Sequence, residues 1–285
     1  FPASRTGVEA VYRRAFNDAR DYMHAWDEYA KHKDDPKVAP PRRDLRLEAL
    51  ADILKRKTWV QCHSYRQDEM LMMVRLSQEF QFHLNMQHAL EAYKIAPELA
   101  KANVSVSMFG DGFAYKLEVV DSIPMATAIC DKAGVTVSVN TDTFSGTVPI
   151  TQDAAKAMRY GVSEDHALRM ITINPAKELG VDSRVGSLEI GKDADLALWQ
   201  GHPLSSYTKC VMTFIDGEVF FERRDAFKVD SRSMAATEVH SMPFDPDRNV
   251  LPKPSQSYLI EGATVHPVSG PDLLNANVLI EDGQI

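Results

Sequence analysis

The chain has 285 residues, of which 44% are hydrophobic and 25% are charged, and its formal net charge at pH 7 is −8. This composition is typical of a soluble globular protein with a sizeable core, and the excess of acid argues against a nucleic-acid-binding protein. The three cysteines are far apart and form no CxxC pair, so neither a disulfide framework nor a thiolate zinc site is supported.

The first half of the chain alternates between helical and extended patterns. Apolar residues at helical spacing predict a long helix over residues 7–31 and a second helix over residues 45–56. Strands are then predicted at 58–62, 82–87, 104–108 and 135–140, with helices between them. This alternation predicts parallel βα units, which would form either half of an eight-stranded barrel or part of an open sheet.

The pattern changes after Asn174-Pro175, where glycine turns separate short apolar runs. Strands are predicted at 185–192, 194–199, 211–215 and 218–221, the last two joined by an Asp-Gly hairpin turn. A proline-rich stretch follows and predicts a linker, and a further β segment begins at Tyr258. No apolar run approaches the ~20 residues of a membrane span, and no feature indicates a cellular compartment.

Three predicted strands end in a residue that can bind a metal ion: His63, His88 and Asp142. The carboxyl ends of parallel strands meet on one rim, so these side chains are expected to converge. Two imidazoles and a carboxylate suit Zn²⁺ or a similar divalent ion. A single histidine at a strand end is more often a capping or surface group, and it is the coincidence of three that favours a metal site.

These strand ends lie in runs that carry a family resemblance. Residues 63–66 (HSYR), 87–94 (QHALEAYK) and 140–142 (NTD) resemble strands five, six and eight of the amidohydrolase superfamily, most closely its imidazolonepropionase-like branch. Residues 174–196 are similar to the segment that leads from such a barrel into its β-sandwich. The resemblance implies an α/β fold: a C-terminal half of a TIM-type (β/α) barrel at 1–180, a small β-sandwich domain at 181–230, a linker at 231–257 and the first strands of a second such module at 258–285.

The same resemblance implies metal-dependent hydrolysis of an amide or cyclic amide C–N bond in a small-molecule substrate. His63 and His88 would hold one divalent ion, with zinc expected, and Asp142 would touch a second ion and act as general acid–base. Arg66 follows His63 by three residues and could bind a substrate carboxylate, although a helix-capping or surface ion-pair role remains open.

Two departures from the family pattern bear on activity. The first-strand His-x-His pair and the strand-four bridging group are not identifiable in the sequence, so we expect a fragment that binds metal weakly and hydrolyses little alone. Two alternatives stay open: a non-catalytic barrel that acts as a binding module, and a metal-dependent phosphoester hydrolase. The tail over residues 258–282 is expected to pair with the strands of 185–222 in a composite sheet.

Overall fold

The structure is a computed structural model, and it describes residues 2–109, 116–141, 149–223 and 257–285. The chain divides into two units, Phe1–Val181 and Asp182–Ile285. Asp142 and all but the last residue of the predicted linker at 231–257 lie outside the described residues. In the part of the chain that is described, no helix is both long enough and apolar enough to cross a bilayer.

Four parallel strands form the sheet of the first unit, and they lie side by side in sequence order. The strands are β1 Val60–His63, β2 Leu84–Gln87, β3 Ser105–Met108 and β4 Val137–Val139. The helices are α1 Arg5–His32, α2 Leu45–Leu54, α3 Gln67–Phe80, α4 Ala96–Ala102, α5 Ala126–Lys132, α6 Ile150–Met158, α7 Glu164–Arg169 and α8 Ile173–Leu179. The predicted parallel α/β fold is confirmed, and within the described residues the sheet is open, with β1 and β4 at its edges.

The two faces of this sheet differ because successive strand residues point to opposite sides. On one face Met86 pairs in register with Cys62 and Val106, and both Met86 and Val106 are fully buried. Helix α3 packs against β2. Its methionines, Met70, Met72 and Met73, are buried and belong to the core.

Short polar side chains begin several of the helices. Ser4 accepts a hydrogen bond from the Gly7 amide at the start of α1, and Asp44 accepts bonds from the Arg46 and Leu47 amides at the start of α2. Such caps satisfy amide groups that have no partner within the helix. Helix α3 differs, because its N-cap residue, Arg66, makes no side-chain capping bond.

The second unit contains two antiparallel sheets. One is formed by β5 Leu196–Gln200, β6 Lys209–Ile215 and β7 Glu218–Glu222, and the other by β8 Tyr258–Val265 and β9 Leu273–Ile280. A single apolar cluster joins them, built on Ala194, Phe214, Val265, Val278 and Ile280. The tail therefore packs against the 185–222 region, but as a separate sheet rather than as added strands of a composite one.

The prediction of a strand at residues 185–192 is wrong. The segment consists of turns, and its amides reach the tail directly: Leu188 donates to the Pro267 carbonyl and Gly191 to the Ile285 carbonyl. Turns at glycines in this segment interrupt the extended backbone that a strand requires. The backbone polar groups are satisfied by these individual bonds instead of by a ladder.

Candidate metal centre

His63 and His88 come together at the carboxyl edge of the parallel sheet. His63 is the last residue of β1, and His88 directly follows β2. Their ring centroids are 4.6 Å apart, with the ring planes inclined at 57°. The structure thus brings together two of the three predicted ligands. Asp142 is outside the described residues, although Asn140 still donates from its amide to the Met108 carbonyl (2.7 Å) at this edge.

A left-handed backbone conformation aims His88 toward its partner. Gln87 lies opposite His63 in the β1–β2 register, so both side chains belong to the polar face. In a regular strand the next side chain, that of His88, would point to the apolar face. Its φ of 57° breaks the alternation and lets the ring meet that of His63. Such a conformation costs a non-glycine residue about 1–3 kcal/mol and recurs at functional sites.

Aromatic and apolar side chains wall the histidine pair on one side. The Tyr65 ring lies edge-on to His63, with centroids 4.7 Å apart, and the Phe109 ring lies edge-on to His88, at 5.4 Å. Tyr65 and Phe109 are buried in one cluster with Leu90 and Val119. Sequence reasoning missed this wall. The one sequence feature that could have indicated these aromatic contacts is that Tyr65 and Phe109 each follow the end of a strand.

The chemistry of the donor set fits a divalent metal ion. Neutral imidazole is a preferred ligand of zinc and of several other transition metals. Since the two ring centroids are 4.6 Å apart, one nitrogen of each ring can approach a common ion. His63 is exposed and His88 is half-buried, so water reaches the pair despite the buried wall beside it.

Beneath the histidines, the polar face is held by a side-chain network centred on Gln61. The Gln61 Oε1 atom accepts hydrogen bonds from Asn85 Nδ2 and Gln87 Nε2, both at 2.8 Å. The Gln61 Nε2 atom donates to the Glu178 carbonyl oxygen at 2.7 Å. One amide therefore links β1, β2 and α8 directly below the strand ends.

Glu178 is the ionisable group of this network and is only 3% exposed. Its Oε2 atom accepts from Ser138 Oγ (2.6 Å) and Asn85 Nδ2 (3.3 Å). Burial raises the pKa of Glu178 to about 8, and the hydrogen bonds from Ser138 and Asn85 oppose this shift only in part. A pKa near 8 means that the carboxyl group is mostly uncharged at neutral pH.

Arg66 forms a two-point ion pair with Asp68. Arg66 Nε lies 3.0 Å from Asp68 Oδ1, and Arg66 Nη2 lies 3.2 Å from Asp68 Oδ2. The hydrogen bond from Arg66 is the main cause that lowers the pKa of Asp68. The surface ion pair that the sequence left open is therefore present, and a substrate carboxylate would have to exchange with Asp68.

The profile of the amidohydrolase family matches residues 47–232. The chain belongs to the amidohydrolase family. Amidohydrolase tasK of Hapsidospora irregularis is 28% identical over 100% of this chain and 31% of its own length. Imidazolonepropionase of Maricaulis maris is 38% identical over 24% of this chain and 18% of that protein. N-substituted formamide deformylase of Arthrobacter pascens is 36% identical over 30% of this chain and 16% of that protein.

A solved structure gives the same assignment. The crystal structure of an amidohydrolase from Thermotoga maritima has a TM-score of 0.69 and 35% identity, over 78% of this chain and 57% of that one. The resemblance to amidohydrolases and imidazolonepropionases predicted from the sequence is confirmed. The chain spans under a third of the length of these three curated relatives.

Proposed function

We propose that this chain carries part of the active site of a metal-dependent hydrolase that cleaves carbon–nitrogen bonds of small-molecule amides or cyclic amides. The observation that carries the proposal is the meeting of His63 and His88 at the carboxyl edge of a parallel sheet. In parallel α/β folds this edge is where active sites are built. A similar protein, named N-substituted formamide deformylase, supports an amide-type bond as the target.

The two histidines and Asp142 have distinct roles in this proposal. His63 and His88 would hold one divalent ion, with zinc expected, while Asp142 would serve a second ion and the attacking water. A divalent ion so held would acidify water and polarise the substrate carbonyl. Asp142 would accept the proton of the attacking water and return it to the departing nitrogen, as a general base and then a general acid.

Arg66 would orient substrates that carry a carboxylate. The guanidinium group holds the carboxylate of Asp68 in a two-point geometry, which supports a carboxylate as its ligand. Asp68 is half exposed and can release the group to a substrate at little cost. The structure of the site therefore suits an acidic amide, such as an N-acylated amino acid.

The proposal extends to the architecture. The open four-stranded sheet would be the C-terminal half of a TIM-type barrel, and the two sheets of the second unit would form a small β-sandwich in which the tail begins a following module. A catalytic zinc site usually needs three protein ligands. Because two imidazoles converge among the described residues, we expect residues 1–285 by themselves to bind metal weakly.

Because residues 1–285 alone are expected to hydrolyse little, the test uses this chain joined to the N-terminal half of an amidohydrolase barrel. It measures metal-dependent turnover of three substrate classes: N-formyl amines, cyclic amides and phosphate monoesters. On addition of Zn²⁺ we expect amine release from the N-formyl amines and ring opening of the cyclic amides. Asp142→Asn, which removes the general base, should reduce both at least about 100-fold. His166→Ala is the control and keeps turnover, because His166 pairs with Asp131 at the surface. Hydrolysis of the phosphate esters alone would instead indicate a phosphoester hydrolase. Metal binding without any turnover would indicate a binding module.

A further inference from the structure

The two histidines are presented by different loops, so their separation depends on what joins those loops. After His63 the chain turns through residues 64–66 into α3, and after His88 it turns through residues 89–91 into a short 3-10 helix. The last ladder contact between the strands is the bond from the Ser64 amide to the Gln87 carbonyl (3.0 Å). Beyond this bond, a further contact between the two loops is needed to fix their positions relative to each other.

Glu91 supplies that connection with both its main chain and its side chain. Its amide donates to the Tyr65 carbonyl (3.1 Å), and its Oε2 atom accepts from the Gln67 amide (3.0 Å). Gln67 is the first residue of α3, the helix whose own N-cap residue, Arg66, offers no capping bond. Glu91 therefore caps α3 from the neighbouring loop, with a negative charge at the positive end of the helix.

The surroundings of Glu91 favour a fixed position. The residue is 8% exposed, and Lys94 Nζ lies 3.4 Å from its Oε1 atom. Lys94 also contacts Asp121 Oδ2 at 2.5 Å, so a second carboxylate shares this cation. A buried, doubly engaged carboxylate three residues after His88 limits the freedom of the loop that carries the left-handed His88.

We propose that Glu91 is a positioning residue that sets the distance between the His63 and His88 rings by tying the loop after β1 to the loop after β2. The inference rests on the proposed function only in its consequence for metal binding. Outer partners of a metal site typically change metal affinity by about 10- to 100-fold when removed. Glu91→Ala is expected to weaken Zn²⁺ binding by that amount.

The experiment compares three variants with the unsubstituted protein. Glu91→Ala removes the side-chain bond to Gln67 and leaves the main-chain bond to Tyr65, whereas Glu91→Gln keeps an oxygen that can accept from Gln67. Asp44→Ala is the matched control, because Asp44 caps α2 in the same way but lies in no loop that bears a histidine. For each protein we would measure thermal stability, Zn²⁺ affinity by competition with a chelator, and the imidazole NMR signals of His63 and His88 without metal.

The expected result is that Glu91→Ala shifts both imidazole signals and lowers Zn²⁺ affinity, and that Glu91→Gln restores both in large part. Asp44→Ala should lower the melting temperature to a similar extent and leave the signals unchanged. If Glu91→Ala changes only stability, as Asp44→Ala does, the positioning role is overturned. The imidazole signals recorded without metal test the positioning role even if the unsubstituted protein binds no Zn²⁺. Failure of the unsubstituted protein to bind Zn²⁺ would count against the proposed function and not against the positioning role.

Discussion

The sheet face formed by Cys62, Met86 and Val106 is apolar, whereas the face formed by Gln61, Asn85 and Ser105 is polar, although the same three strands supply both. The apolar face buries its side chains against helices, which stabilises the fold by roughly 25 cal/mol per Å² of apolar surface removed from water. The polar face buries the amide of Asn85, several hydroxyls and a carboxyl group, which contributes little net stability. It also bears His63, so the proposed metal site and the main stabilising face lie on opposite sides of the same strands.

Among substitutions that test this difference between the two faces, the largest expected effect is on metal binding. His88→Ala should reduce Zn²⁺ affinity by more than about 100-fold, above the range found for outer partners of metal sites, because His88 is a proposed direct ligand. Its effect on the free energy of unfolding should be small, since His88 is only half-buried and is not a member of the buried apolar cluster beside it. His166→Ala is the control, as this histidine on α7 pairs with Asp131 at the surface and should leave affinity unchanged.

On the apolar face the same kind of truncation should act on stability. Met86 is fully buried, so Met86→Ala should lower the free energy of unfolding by about 2–5 kcal/mol. Ser105→Ala, on the adjacent strand but the polar face, should cost about 0.5–1.5 kcal/mol through its lost hydrogen bond to Asn85. Chemical denaturation of both variants measures the difference. Equal losses would show that the two faces do not differ in energetic role.

Glu178 makes the polar face sensitive to pH. Burial raises the pKa of this carboxyl from its usual value of 4.5 to about 8 in the folded state. Between these values the folded state keeps a proton that the unfolded state has lost, so its contribution to stability is full below about 4.5. It falls as pH rises towards 8, by up to about 1.4 kcal/mol per pH unit. Glu178→Gln should flatten this slope, and an unchanged profile would contradict the assignment.

The smallest effect is expected at the protein surface. Asp68→Asn breaks the ion pair with Arg66, in which both side chains are at least two-fifths exposed. Exposed pairs contribute roughly 0–1 kcal/mol, and salt screens them. Urea denaturation at low and high salt should therefore show a loss below about 1 kcal/mol that shrinks as salt is added. A loss that is larger than this, or insensitive to salt, would place Arg66 among the structural groups of the site.

The parts of the fold that sequence predicted are those fixed by local patterns. Alternating strands and helices indicated the parallel sheet, and the position of His63 and His88 at strand ends indicated that they would meet. The strand predicted at 185–192 was wrong because glycine turns there bond individually to the tail. The burial of Glu178 could not be predicted, since it depends on α8 reaching Ser138 and Asn85, which are distant in sequence.

The capping of α3 by Glu91 escaped prediction for a similar reason. A capping residue is normally sought at the start of its own helix, where Arg66 stands, and the acceptor instead comes from the loop after the next strand. The ion pair of Arg66 with Asp68, two residues away, was one of three roles that the sequence left open for Arg66. The capping partner of a helix and the ion-pair partner of an arginine are set by tertiary contacts, which residue patterns in the sequence do not reveal.

X-ray absorption at the zinc edge tests the central claim most directly, because it counts the imidazoles bound to the ion. The protein loaded with one Zn²⁺ should show two imidazole ligands, from His63 and His88, and the His63→Ala variant should show one fewer. The same spectrum in the unsubstituted protein and in the His63→Ala and His88→Ala variants, or an ion without imidazole ligands, would contradict the account.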